Sequence, residues 1–168
     1  RHLPLRSVMA SASATLGLCA GAGHYPDTGR MGETKMIEIT NDGAVRVLAL
    51  NRPEVLNAFN GDLFDTLVES LLEADADASV AVVVITGTGR AFTAGADLSE
   101  MGQRGTPPKH GFAGLCETLI AYGKPVIVAA NGASVGVGGT IMGLVDVVYV
   151  ADSAKVRCPF AALGINPE

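Results

Sequence analysis

Regular alternation of apolar and polar positions begins at Met36. Met36-Ile37-Glu38-Ile39-Thr40 puts every second side chain on one face, the two-residue period of a half-buried strand. Asn41-Asp42-Gly43 supplies hairpin-turn chemistry, and Val45-Arg46-Val47-Leu48-Ala49-Leu50 reads as the partner strand. Asn51-Arg52-Pro53-Glu54 then turns the chain, because Pro53 fixes its own backbone and restricts that of Arg52. Beyond it the period becomes helical. Leu63, Phe64, Leu67, Val68, Leu71 and Leu72 share one face, with Asp62, Asp65, Glu69 and Glu73 elsewhere on the wheel. Residues 81–85 are a continuous, mostly β-branched run and predict a buried strand.

A second helical stripe holds Phe112, Leu115, Cys116, Leu119 and Ile120, and Tyr122-Gly123-Lys124 ends it. Residues 125–130 predict another buried strand, and residues 131–139 a loop of small residues leading into a helix around 140–144. Residues 146–150 read as a further strand and residues 155–157 as a short one. The strands opening at Val45, Ala81 and Pro125 recur after roughly 35–45 residues, each followed by a turn and a helix. Such units imply an α/β layered fold whose ligands sit where strands end and helices begin.

Two stretches of small residues occupy those places. One is Phe92-Thr93-Ala94-Gly95-Ala96-Asp97-Leu98, in which the small side chains leave backbone N–H groups open to close approach. Asp97 or Ser99 is placed to cap a short helix after it. N–H groups held in this way can bind an oxygen that becomes an anion during a reaction; the plain alternative is an ordinary strand-to-helix loop. The other stretch contains Gly136-Val137-Gly138-Gly139, which is not a dinucleotide fingerprint, because Ile141 holds the third glycine position. No G-x-x-x-x-G-K phosphate loop is present either.

Composition narrows the function further. A chain of 168 residues, 48% of them hydrophobic and only 17% charged, suits one domain with a sizeable core. A net charge of −5 argues against a nucleic-acid binder and leaves an anionic small molecule open. No apolar run reaches the length of a membrane span. Cys19, Cys116 and Cys158 are far apart, and His2, His24 and His110 are isolated, so neither a disulfide framework nor a metal site is supported. Buried, reduced thiols in an intracellular protein are expected. Residues 1–30 are rich in Ala, Gly and Ser, with no acid before Asp27. They read as a disordered leader of transit-peptide composition, or equally as translated upstream sequence or an expression remnant, and Met31 is the favoured start.

Three blocks then stand in a telling order: Asn51-Arg52-Pro53-Glu54-Val55-Leu56-Asn57-Ala58, the stretch from Phe92 to Leu98, and Lys124-Pro125-Val126-Ile127-Val128-Ala129-Ala130-Asn131-Gly132. Together they resemble the crotonase, or enoyl-CoA hydratase/isomerase, superfamily. The resemblance implies an α/β crotonase-like spiral of ββα units over residues 31–168. It implies also that the C-terminal part of the family's domain, which closes the acyl pocket and builds a homo-trimer there, is missing from this sequence. It implies an acyl-CoA thioester as partner, with CoA arriving as part of the substrate, and no metal or redox cofactor. Two backbone N–H groups, by position those of Ala96 and Val137, stabilise an enolate-like intermediate in such proteins. Substrate and CoA contacts fall by the same resemblance on the backbone of Val55 and Leu56, and on Ala94, Ala96, Asp97 and Leu98. Arg52, Arg90 and Lys124 are candidate phosphate partners.

The family's hydratases use two glutamates, and the matching positions here hold Thr140 and Phe160. Residues 135–146 and 159–168 are instead similar to the Δ3,Δ2-enoyl-CoA isomerase branch. There a single Glu, aligning with Glu168, moves a proton from C2 to C4 of the acyl chain. The expected activity is therefore isomerisation of 3-enoyl-CoA to 2-enoyl-CoA in fatty-acid β-oxidation. A hydratase or other crotonase reaction, and an inactive acyl-CoA-binding or interaction module, stand as alternatives. The expected compartment is cytoplasmic in a bacterium and mitochondrial or peroxisomal in a eukaryote.

Overall fold

The structure, a computed structural model, describes residues 35–99 and 107–164; the expected leader over residues 1–30 lies outside them. Strands β1 (Ile37–Asp42) and β2 (Val45–Leu50) form the predicted antiparallel hairpin. Its turn is tighter than expected. Asn41 and Asp42 stay in the strand, opposite Arg46 and Val45, so Gly43 and Ala44 alone make the loop, with Gly43 at φ 57°.

Helix α1 (Gly61–Ala76) starts where the Asn60 side chain accepts the Leu63 N–H at 2.9 Å. Its buried stripe is Leu63, Phe64, Leu67, Val68, Ser70, Leu71 and Ala74. Leu72, expected on that face, is exposed, because it lies a step past the edge of the stripe at Val68. Strand β3 (Val82–Gly87) is buried throughout and pairs in parallel with β2. A short strand β4 (Ala91–Thr93) follows, and then helix α2 (Gly111–Ile120). Ile120, also expected inward, is exposed, since α2 turns Gly111, Leu115 and Leu119 to the core. Asp65 of α1 joins the two helices: its carboxylate accepts the N–H groups of Lys109, His110 and Gly111 at 2.7, 2.7 and 3.0 Å.

Strand β5 (Val126–Ala130) pairs in parallel with β3, and β7 (Val147–Val150) with β5. Between them lie β6 (Ala133–Val135) and helix α3 (Val137–Met142); β8 (Val156–Arg157) comes last. The loop expected over residues 131–139 therefore contains a strand, and the helix begins at Val137 rather than at Thr140. The long strands form one sheet in the order β1-β2-β3-β5-β7, while β4, β6 and β8 form a second, parallel sheet. Each long strand after the hairpin thus hands the chain to a short strand, and after β3 and β5 a helix follows, in a repeating ββα path.

Side chains of the main sheet alternate between two clusters. Leu48, Leu50, Val83, Ile85, Val126, Val128 and Ala130 face α1 and α2. Val45, Val82, Val84, Ile127 and Ala129 form the cluster on the opposite face. The second sheet needs a glycine at position 132: a Cβ there would lie 2.1 Å from the Arg90 carbonyl oxygen. Among the described residues no helix is long and apolar enough to cross a membrane.

Candidate active site

Strands β2, β3 and β5 run parallel, so their C-terminal ends reach one edge of the sheet together. After β2, Leu56 and Asn57 both adopt left-handed backbone, φ 55°. Asn57 is fully buried and acts as a hub. Its Oδ1 accepts the Arg52 N–H at 2.9 Å, and its Nδ2 donates to the Thr88 and Ala91 carbonyls at 2.9 Å each. Its own carbonyl accepts the Thr93 hydroxyl at 2.7 Å. Thr93, equally buried, accepts the Gly95 N–H at 3.1 Å. A continuous hydrogen-bond chain thus runs from the turn after β2 to the glycine that precedes Ala96.

Ala96 is held by its neighbours. The Phe59 N–H donates to Gly95 O, and the Asp97 N–H to Phe59 O, both at 2.8 Å, as a parallel bridge between Phe59 and Ala96. In such a bridge the middle residue's own N–H faces away from the partner strand. That of Ala96 donates to no acceptor among the described residues.

The second candidate donor follows β6. Gly136 makes the turn at φ 55° and ψ −111°, a conformation suited to glycine, and its N–H donates to Arg157 O at 2.9 Å. Val137, the first residue of α3, is buried and keeps negative φ, so the demanding geometry falls on Gly136. First-turn N–H groups have no partner inside a helix, and that of Val137 has none among the described residues. The two turns abut: a Cβ on Gly95 would lie 3.0 Å from Val135 O and 3.9 Å from the Gly136 Cα. The cause is the pairing of β4 with β6, Ala91 opposite Ala133 and Thr93 opposite Ser134. The fold therefore brings Ala96 and Val137 to neighbouring turns, each one residue past a glycine.

The charged candidates are placed differently from expectation. Arg52 does not wait for a phosphate: its Nη1 and Nη2 both lie 3.2 Å from Asp97 Oδ2, and Nη1 also donates to Ala58 O. The side chains of the pair are only 16% and 13% exposed, so its charge is already matched within the protein. Lys124 donates to the Ala74 and Asp77 carbonyls at 2.7 Å each, closing the C-terminus of α1 at the end of the sheet away from these turns. Arg90 alone of the three candidate phosphate partners stays exposed. Asp97 is held below the usual carboxylate range. The Ser99 hydroxyl does most of this, burial acts against it, and the Ser99 N–H and Arg52 add to it. Asp97 does cap a turn at Ser99, and any helix beyond would fall on residues outside those described.

Among the remaining candidates, the Val55 and Leu56 N–H groups donate to Arg52 O and Pro53 O at 3.1 Å, and Ala94 N–H donates to Leu56 O at 2.9 Å. Val55 is exposed, Leu98 is 75% exposed, and Leu56 and Ala94 are half-buried. Thr140 and Phe160 are half-buried, and Glu168 lies outside the described residues. Cys158 is exposed and Cys116 half-buried, and neither forms a disulfide among the described residues, so the expected burial of the thiols fails at Cys158. Among the described residues no cluster of His, Cys, Asp or Glu could hold a metal ion. Sequence reasoning assigned no role to Asn57 or Thr93, although each is a polar residue with apolar neighbours on both sides, the signal that marks them.

Residues 40–168 match the model of the enoyl-CoA hydratase/isomerase family. The chain is similar to the 2,3-dehydroadipyl-CoA hydratase of Escherichia coli, 39% identical over 136 residues, covering 77% of this chain and 51% of that protein. It is similar to enoyl-CoA delta isomerase 2 of Rattus norvegicus, 33% identical over 147 residues, covering 83% of this chain and 37% of that protein. The crystal structure of an enoyl-CoA hydratase from Mycobacterium marinum superimposes with a TM-score of 0.75 at 45% identity, covering 79% of this chain and 64% of that one. The chain spans about half the length, or less, of the curated relatives it matches.

Proposed function

Because the chain belongs to the enoyl-CoA hydratase/isomerase family and shares its crotonase fold, we propose that it binds an acyl-CoA thioester and isomerises 3-enoyl-CoA to 2-enoyl-CoA. The Ala96 and Val137 N–H groups hold the thioester oxygen. Removing a C2 proton places negative charge on that oxygen, and a preorganised donor aimed at such an oxygen is worth about 3–4 kcal/mol to the transition state. Glu168 takes the C2 proton and returns it at C4, a shuttle that one carboxylate can perform alone. The observation that carries this reading is the pairing of β4 with β6, which sets side by side two turns whose Ala96 and Val137 N–H groups meet no acceptor among the described residues. Thr140 and Phe160 favour isomerisation over hydration, because neither side chain can transfer a proton as a carboxylate does.

The test is incubation with a 3-enoyl-CoA while the absorbance of the conjugated thioester is followed. Turnover that Glu168→Gln abolishes supports the isomerase. Hydration of a 2-enoyl-CoA would overturn the assignment of the base, and binding without turnover would leave an acyl-CoA-binding module.

A further inference from the structure

Arg52 and Asp97 stand 45 positions apart in sequence and meet one residue from Ala96. We propose that Arg52 is a positioning residue for the Ala96 N–H and the counter-charge that lets an anionic oxygen form beside it; this rests on the oxyanion role proposed for Ala96. Ala96 is exposed, and its methyl group offers no polar anchor. Its place is set by the two hydrogen bonds of Gly95 and Asp97 to Phe59. The Arg52 guanidinium binds both sides of that bridge at once, Asp97 on one strand and Ala58, next to Phe59, on the other. Arg52 is itself fixed through its backbone, whose N–H donates to Asn57 Oδ1 and whose carbonyl accepts the Asn57 N–H, each at 2.9 Å. A planar fork held this way fixes direction as well as distance.

Charge gives Arg52 a second task. Asp97 is paired with Arg52 and held below the usual carboxylate range, its side chain is 13% exposed, and it adjoins Ala96, whose N–H would hold the substrate oxygen. A carboxylate left unpaired there would oppose every increment of negative charge on that oxygen. Ser99 also binds Asp97 but brings no charge, so among the described residues that bind this carboxylate Arg52 alone carries a positive charge to neutralise it. The two members of the pair are therefore unequal. Losing Arg52 exposes the oxyanion to a bare carboxylate, whereas losing Asp97 removes only the clamp.

Acetoacetyl-CoA tests this directly in the full chain, because its enolate absorbs in the near ultraviolet and its keto form does not. The wild-type protein is expected to enolise the bound thioester. At an effective dielectric near 20, a unit charge several ångströms away changes such an equilibrium by about 10–100-fold, the loss expected for Arg52→Gln. Butyryl-CoA, bound without enolising, should keep its dissociation constant within about threefold, since it gains little charge at that oxygen. Arg52→Gln/Asp97→Asn should regain about fivefold or more of the enolate relative to Arg52→Gln alone, because neutrality is restored. Equal enolate in Arg52→Gln and wild type, or no recovery in the double variant, overturns the inference. If Arg52→Gln does not fold, Arg52→Lys decides. It keeps the charge and should retain the band within about fivefold, and a loss of tenfold or more overturns the counter-charge. A wild-type protein that binds acetoacetyl-CoA with no enolate band refutes the oxyanion role of Ala96 instead, a result distinct from all of these.

Discussion

Replacing Asn57 by alanine removes one side chain and, with it, the junction between the turn after β2 and the β3–β4 segment. Three hydrogen bonds vanish, to the Arg52 N–H and to the Thr88 and Ala91 carbonyls, at a residue that is fully buried. At about 1 kcal/mol each, they account for roughly 3 kcal/mol. Alanine must also adopt the left-handed backbone that Asn57 holds at φ 55°, which adds about 1 kcal/mol. The expected destabilisation is therefore about 4 kcal/mol, a large fraction of the 5–15 kcal/mol typical of a domain. Asn57→Gly loses the same bonds but not the backbone term, so it should be about 1 kcal/mol more stable than Asn57→Ala, the reverse of the usual order. Urea unfolding followed by circular dichroism measures both, with the slope unchanged and the midpoint lowered. An alanine variant within about 1 kcal/mol of wild type, or one more stable than the glycine variant, would refute the reasoning.

Other consequences follow from particular residues. Gly132→Ala places a methyl group 2.1 Å from the Arg90 carbonyl, a backbone atom that cannot rotate away, and should cost about 3 kcal/mol or more in a thermal melt. Asp65 sits below its ordinary pKa of 3.8. Desolvation pulls it upward, but the Gly111, His110 and Lys109 N–H groups, with a smaller electrostatic contribution from His110, outweigh that. A lowered native pKa contributes stability above the unfolded value and loses it as pH falls through the native one. The urea midpoint of Asp65→Asn should thus lie below wild type at pH 7, and the gap should close in acid. Lys124→Met frees two carbonyls at the C-terminus of α1 and should lower stability by about 1–2 kcal/mol while leaving acyl-CoA affinity, read by calorimetry, unchanged.

The long elements were legible because their periods are. Val82 to Ile85 and Val126 to Ala130 are apolar without interruption, as central parallel strands must be, and the stripe on α1 repeats at helical spacing. Leu72 and Ile120 misled because apolar character alone does not say where a stripe ends. Strands β4 and β6 have three residues each, too few to show alternation, and exist because they pair with each other across a gap of about 40 positions in sequence. The site divides in the same way. Ala96 and Val137 are expected from motif and order, and the pairing of β4 with β6 sets their turns side by side. The fate of Arg52 was not legible, because its partner Asp97 is distant in sequence and a solitary arginine beside a proline turn reads as free. Lys124 shows the same ambiguity resolved the other way, by the end of a helix rather than by a carboxylate.

The central claim is that two main-chain donors meet on one thioester oxygen. An acyl-CoA labelled with carbon-13 at the thioester carbonyl, bound to the full chain and observed by infrared difference spectroscopy, reports the polarisation of that single bond. The account predicts a carbonyl stretch at lower frequency than for the same thioester free in water. A stretch at the free value or above it would contradict the account, whatever else the protein binds.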